Sequence, residues 1–160
     1  MTIKVGDKLP AATLRTIVDG AVTEVTTEDL FKGKTVALFA VPAAYTRTCS
    51  TKHLPGYVVN ADALKAKGVD TIVCMAVNDA FVMDAWSMDR NVGATVMMLG
   101  DGNADLTRAL GLDKDSTANG MGIRSQRFSM VVEDGVLKSL DIDPPGQFGA
   151  TSAEAMLDRL

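Results

Sequence analysis

One hundred and sixty residues, 47% apolar and 22% charged, suffice for one globular domain over residues 1–160 and exclude an intrinsically disordered chain. Sixteen basic against twenty acidic side chains leave a net charge of −4, which argues against nucleic-acid and anionic-membrane partners. Two cysteines and one histidine exclude a disulfide framework and cannot by themselves make a zinc site, which takes about four ligands, so no metal or cofactor is expected.

Met1–Pro10 holds Lys4, Asp7 and Lys8 and no long apolar run, so no signal peptide is expected, and nothing later approaches the ~18 apolar residues of a membrane span. The expected setting is therefore cytoplasmic. Ala12–Val18 and Val22–Val25 flank Asp19-Gly20 and read as a hairpin. Thr26 or Thr27 caps a short helical turn through Phe31, with Glu28 and Asp29 at its positive end. Thr35–Val41 (TVALFAV) is a continuous apolar run, the pattern of a strand buried on both faces. After Pro42 the pattern turns helical: Tyr57, Ala61 and Leu64 share a face and Gly68 ends it. Leu54-Pro55-Gly56 interrupts that stretch, giving either two helices or one with a kink.

Thr71–Val77 (TIVCMAV) is a second buried strand. Asn78 or Asp79 caps a helix through about Asn91, Thr95–Leu99 is a third strand, and Asp101-Gly102-Asn103 leads into a helix ending at Gly111. Arg127–Val132 and Val136–Ile142 flank Glu133-Asp134-Gly135, a second hairpin, and Thr151-Ser152-Ala153-Glu154 reads as a capping box for a terminal helix. Strands alternating with helices predict a central mixed sheet flanked by helices on both faces. The fold expected is an α/β sandwich of thioredoxin-like type with an N-terminal hairpin.

Cys49 falls just beyond the C-terminal end of a predicted buried strand, at a predicted helix start, where open α/β sheets usually place their chemistry. A helix N-terminus favours thiolate over thiol. Arg47 and His53 bracket the cysteine, and Thr46 and Thr48 offer hydroxyls. A small hydrophobe filling a gap is the competing reading. His53 stands four residues on, so a continuous helix puts both on one face, where the imidazole either aids proton transfer, raises the local positive potential or serves the packing.

Val41-Pro42-Ala43-Ala44-Tyr45-Thr46-Arg47-Thr48-Cys49-Ser50, followed by His53-Leu54-Pro55-Gly56-Tyr57, resembles the active-site segment of the peroxiredoxins, in particular the peroxiredoxin-5-like (type II) subfamily. The Pro-x-x-x-Thr-x-x-Cys pattern is met by Pro42, Thr46 and Cys49, and Arg127-Phe128-Ser129-Met130-Val131-Val132-Glu133-Asp134-Gly135 is similar to a later stretch of that family. The resemblance implies reduction of hydrogen peroxide and organic hydroperoxides through a Cys49 sulfenic acid. It implies that the Thr46 hydroxyl, the Arg127 guanidinium and the backbone N–H groups of Ala44 or Tyr45 and of Cys49 face the peroxide, with Pro42 shielding the sulfur. It also implies a homodimer with Tyr45 and Phe81 near the subunit interface.

Where the family usually shows Pro-Gly-Ala-Phe-Thr-Pro-Thr-Cys, this chain has Ala43, Tyr45 and Arg47. Alanine is safe there only if its φ is negative. Arg47 is expected either to favour the Cys49 thiolate, to bind an anionic partner such as glutathione, or to be simply solvated. Cys74 lies mid-strand and reads as packing, and Pro144–Ser152 holds no cysteine, so the expected route is one-cysteine. An external thiol, glutathione with glutaredoxin or thioredoxin, then resolves Cys49. Arg124 reads as a surface or supporting charge. Trp86, Met83 and Met88, with Tyr45 and Phe81, are more often core than cofactor contacts. Asp101-x-Asn103-x-Asp105 lacks the glycine and glutamate of a calcium loop and reads as a helix cap. The rival functions are a thioredoxin-like redox or chaperone protein without efficient peroxidase turnover, and a non-catalytic scaffold.

Overall fold

The computed structural model describes residues Met1–Leu160. In chain order the elements are β1 (Thr13–Val18), β2 (Ala21–Thr26), α1 (Thr27–Phe31), β3 (Thr35–Ala40), a π-helical turn (Cys49–His53), α2 (Leu54–Val59) and α3 (Ala61–Ala66). There follow β4 (Thr71–Ala76), α4 (Ala80–Asp89), β5 (Met97–Gly100), α5 (Asp105–Ala109), β6 (Asp113–Asp115), β7 (Ile123–Ser125), β8 (Arg127–Glu133), β9 (Val136–Asp143) and α6 (Ala153–Arg159). Seven strands form one mixed sheet in the order β2-β1-β5-β4-β3-β8-β9, and β6 pairs with β7 in a separate ribbon. The three apolar runs are its parallel centre, β5-β4-β3, and the two hairpins add antiparallel pairs at either side.

Alternation along the central strands sorts the core into two layers. Ala37 and Phe39 of β3 and Ile72, Cys74 and Ala76 of β4 face one side, where they pack under the π turn, α2, α3, α4 and α6 through Cys49, Leu54, Tyr57, Leu64, Trp86 and Met156. Val36, Leu38 and Ala40, with Val73 and Met75, face the other side, against Phe31 of α1 and Leu106 of α5. Both hairpins turn on Asp-Gly: Asp19 and Gly20, and Asp134 and Gly135, all have positive φ, as a two-residue turn matched to strand twist requires.

Several boundaries resolve differently from expectation. Thr26 caps α1, accepting from the Asp29 N–H, while Thr27 bonds to Ala12 and Pro10. Asp79 caps α4, which releases Asn78 for another task. The third strand is Met97–Gly100 rather than Thr95–Leu99. The terminal helix is capped by Ser152, whose hydroxyl accepts from the Ala155 N–H; the Thr151 hydroxyl donates to Asp143 instead, so the Thr151–Glu154 capping box does not form. Asp101 caps α5, accepting from the Leu106 and Thr107 N–H groups and the Thr107 hydroxyl. On α4, Met83 and Trp86 are core, but Phe81 and Met88 point outward, because only one face of that helix meets the sheet. The β6–β7 ribbon is too short and polar to have been legible as strands.

Candidate active site

Beyond β3 the chain crosses the end of the sheet in a loop held from below. The Val41 N–H donates to the Met75 carbonyl at 3.0 Å, and the Ala44 N–H donates to Asn78 Oδ1 at 3.0 Å. Ala43 avoids positive φ, so the alanine in place of glycine carries no backbone strain; Tyr45 takes the left-handed conformation instead, at φ 66°. Its ring is half-exposed, with its hydroxyl donating to Asp89 at 2.7 Å. The Thr46 hydroxyl donates to the Ala43 carbonyl at 2.9 Å, closing the loop on itself. Its proton is therefore committed, and its oxygen offers lone pairs rather than a donor. The Ala44 N–H is likewise already bonded, to Asn78 Oδ1, and is not free to meet a peroxide.

Helical backbone starts at Arg47, but from Cys49 to His53 it widens into a π turn, with the Leu54 N–H reaching back to the Cys49 carbonyl. Pro55 explains the widening: it has no N–H, and its ring would clash with the carbonyl four residues earlier in a regular helix. The helix therefore passes Leu54-Pro55-Gly56 and breaks only at Asn60, whose side chain donates to the Gly56 carbonyl. The π turn buries Cys49, Ser50 and His53 together, and the Ser50 hydroxyl accepts from the Trp86 indole at 3.0 Å.

Arg127 is the first residue of β8, whose antiparallel register with β3 sets Phe128 opposite Ala40 and so brings Arg127 to the strand end where Cys49 sits. One guanidinium nitrogen, Nη2, donates to Cys49 Sγ at 3.1 Å; the other, Nη1, lies 2.6 Å from His53 Nδ1. Arginine can only donate, so His53 Nδ1 is the acceptor, and Nε2 carries the proton that it gives to the Thr151 carbonyl at 3.1 Å. His53 is fully buried against Phe39, Tyr57 and Phe148. Burial first, and the Arg127 charge second, push its pKa down from 6.5 to about 3. It is neutral here and cannot raise the local positive potential as the sequence had suggested. Arg127 also stacks over Phe148, its guanidinium carbon 5.7 Å from the ring centroid.

A cavity of about 200 Å³ opens beside this cluster, lined by Pro42, Thr48, Lys114, Gln126, Arg127 and Pro145 among others. Cys49 has no exposed surface and is joined to the cavity wall through Arg127. Arg47 is exposed and hydrogen-bonds through no side-chain atom. Arg124 is a supporting group rather than a free charge, donating to the carbonyls of Met121 and Val77. Cys74 is a free, fully buried thiol whose pKa burial raises well above the ordinary value. Sequence reasoning missed Asp143 and Thr151, which hold the far side of His53; nothing local in either residue announces a partner so distant in the chain.

A family model described as Redoxin matches residues 4–157. Among curated relatives, the chain is 50% identical over 164 residues to the chloroplastic Peroxiredoxin-2E-2 of Oryza sativa subsp. japonica, covering 99% of this chain and 73% of that protein. It is 42% identical to Peroxiredoxin-2C of the same plant, covering 99% and 98% of the two chains. The crystal structure of reduced Prx3 from Vibrio vulnificus in complex with hydrogen peroxide superposes with a TM-score of 0.95 at 46% identity, covering 99% of each chain. With the Cys49–Arg127 contact at the end of β3 and these matches along its whole length, the chain belongs to the Redoxin family and is a thioredoxin-like peroxiredoxin, a thiol peroxidase.

Proposed function

We propose that this protein reduces hydrogen peroxide and organic hydroperoxides at Cys49 and that an external thiol completes the cycle. The observation that carries the reading is the Arg127 Nη2 donor, 3.1 Å from Cys49 Sγ at the start of a helix. A guanidinium donor is charge-assisted toward a thiolate and toward the oxygens on which negative charge develops. The Cys49 thiolate attacks one peroxide oxygen in line with the O–O bond. A sulfur–oxygen bond forms, the O–O bond breaks, and the departing alkoxide or hydroxide takes up a proton. Sulfur is oxidised by two electrons to the sulfenic acid, and the peroxide leaves as alcohol or water. Thr46 Oγ1, its own proton held by Ala43, accepts from the peroxide O–H, while the N–H groups of Tyr45 and Cys49 and the Arg127 guanidinium donate. Pro42, on the cavity wall with Arg127, keeps bulk water from the sulfur. Hydrogen peroxide bound to the Vibrio Prx3 of similar fold supports this choice of substrate.

One thiol, such as glutathione working with glutaredoxin or the thiolate of thioredoxin, then attacks the sulfenic sulfur and expels water. A second thiol releases Cys49 as thiolate and leaves the reductant as its disulfide. The one-cysteine route is supported by Cys74, which is fully buried in β4 with its thiol pushed up by burial, a poor nucleophile. Both cysteines are free thiols, which suits a cytoplasmic, reducing setting. The outward Phe81 and half-exposed Tyr45 support a homodimer, which light scattering tests. Stopped-flow oxidation by hydrogen peroxide and an alkyl hydroperoxide, beside a Cys49→Ser control, tests the chemistry. Oxidation orders of magnitude faster than a free thiol, lost in the control, is expected; thiol-like rates would overturn the reading.

A further inference from the structure

The turn after β9 is built around one carboxylate. Asp143 Oδ2 accepts from the Gly149 N–H at 3.1 Å, the Thr151 N–H at 3.1 Å and the Thr151 hydroxyl at 2.6 Å, while Oδ1 accepts from the Ala150 N–H at 3.0 Å. Four donors converge on a side chain from a buried residue. Burial opposes its ionisation, but the Thr151 hydroxyl and the three N–H groups outweigh it and hold the carboxyl below its ordinary pKa. Arg159 ties the same turn from α6, donating to the Ala150 carbonyl at 2.6 Å and pairing with Asp141 at 2.8 Å.

That clamp fixes where the Thr151 carbonyl points. It accepts from His53 Nε2 at 3.1 Å and from the Tyr57 hydroxyl at 2.9 Å, and Tyr57 is itself held flat on Phe39 with ring centroids 4.0 Å apart. A carbonyl can only accept, so it keeps the imidazole proton on Nε2 and leaves Nδ1 as the acceptor that Arg127 needs. If the carbonyl turned away, the proton could sit on Nδ1 and meet the Arg127 donor head-on. Resting on the peroxidase reading above, we propose that Asp143 is a positioning residue for the active site: by clamping the Gly149–Thr151 turn it sets the tautomer of His53, and through it the aim of Arg127 at Cys49.

His53 is the protein's one histidine, so its imidazole ¹⁵N shifts can be read without assignment ambiguity. At neutral pH the reduced wild-type protein is expected to show a single neutral ring with the proton on Nε2. Asp143→Asn turns one acceptor edge into an amide donor facing N–H groups, and is expected to give mixed tautomers and a peroxide oxidation rate roughly 10- to 100-fold lower. Thr151→Val, which deletes only the hydroxyl contact, is expected to shift the tautomer in the same direction and serves if Asp143→Asn does not fold. In a His53→Leu background, whose side chain can bond neither Thr151 nor Arg127, Asp143→Asn should add less than about threefold, because its route to Arg127 is gone. A wild-type ring protonated on Nδ1, an unchanged tautomer and rate in folded Asp143 and Thr151 variants, or an equal loss in both backgrounds would overturn the proposal. A wild-type protein that reacts with peroxide no faster than a free thiol would sink the peroxidase reading instead, while the ring spectra still decide the clamp.

Discussion

Lowering the pH is expected to destabilise the wild-type protein more than a His53→Gln variant, because the folded state refuses a proton that the unfolded chain accepts. The His53 ring is enclosed by Phe39, Tyr57 and Phe148 and faces the Arg127 guanidinium, and its pKa is pushed down to about 3 by burial and then by that charge. In the unfolded chain the ring titrates near 6.5. Below about pH 6.5 the unfolded state binds more protons, so stability falls as pH falls, and the loss is complete only near the folded value. Each pH unit in that window is worth about 1.4 kcal/mol, so the loss between about pH 7.5 and about pH 4.5 is about 3 kcal/mol. Glutamine is neutral throughout and its Oε1 can accept from Arg127. Carboxylates such as Asp143 titrate alike in both proteins and cancel in the comparison. Urea unfolding of the reduced proteins at the two pH values, read by Trp86 fluorescence, measures the effect. If the stabilities of the two proteins fall in parallel with pH, His53 is not held neutral by burial and the account of the site is wrong.

The remaining expectations concern the floor and the edges of the same site. A methyl group on Gly100 would lie 2.7 Å from the Asn78 carbonyl and 2.9 Å from the Asp79 carbonyl carbon, both backbone, so Gly100→Ala is expected to cost about 1–3 kcal/mol, seen as a lowered Tm. Because Asn78 holds the Ala44 N–H, the peroxide step should slow as well; an unchanged melt and rate would refute the contact. Cys74→Ala is expected to keep full turnover with an external thiol, and mass spectrometry of the oxidised wild type should find no Cys49–Cys74 disulfide; a stoichiometric one would end the one-cysteine route. Arg47→Gln removes an exposed charge with no bonded partner, so the peroxide step should change by less than about fivefold in stopped-flow, the range of an exposed charge contact. A larger loss would return Arg47 to the reacting sulfur.

The sequence made the scaffold legible where chemistry repeats at a short period. TVALFA and TIVCMA read as strands buried on two faces and Asp19-Gly20 and Asp134-Gly135 as tight hairpins, and each forms as read. Cys49, Arg127 and Pro42 were legible through the resemblance, and the register of β8 on β3 explains why residues so far apart meet. What stayed hidden depends on partners that no local pattern names. Thr151 looked like a helix cap because a threonine stands three residues before a glutamate, but Asp143 claims its hydroxyl first. His53 was open to proton transfer, a positive potential or packing, and only its burial and the Arg127 contact, both invisible in the sequence, remove the positive potential. Thr46 looked like a donor until the Ala43 carbonyl took its proton. The π turn follows from Pro55, but the choice between a kink and a wider turn depends on what the turn must bury, here Cys49, Ser50 and His53 together.

Neutrality at His53 has an electrostatic consequence for Arg127. A guanidinium at the edge of an apolar core must be held by acceptors, or it swings into solvent. A carboxylate in the imidazole's place would hold it well but would also neutralise it, leaving little field at the sulfur. Arg127 forms no ion pair in this structure; the pairs present are Arg15 with Glu24 and Arg159 with Asp141. Its direction comes from a neutral nitrogen at 2.6 Å and the face of Phe148, neither of which cancels its charge. The full positive charge is thus left for the one partner that becomes negative, Cys49 Sγ at 3.1 Å, and for the oxygens of the peroxide that follows it. The negative charge that balances the region sits on Asp143, behind the imidazole and four hydrogen-bond donors. There it can orient the chain of contacts through Thr151 and His53 without occupying the guanidinium face that the reaction uses.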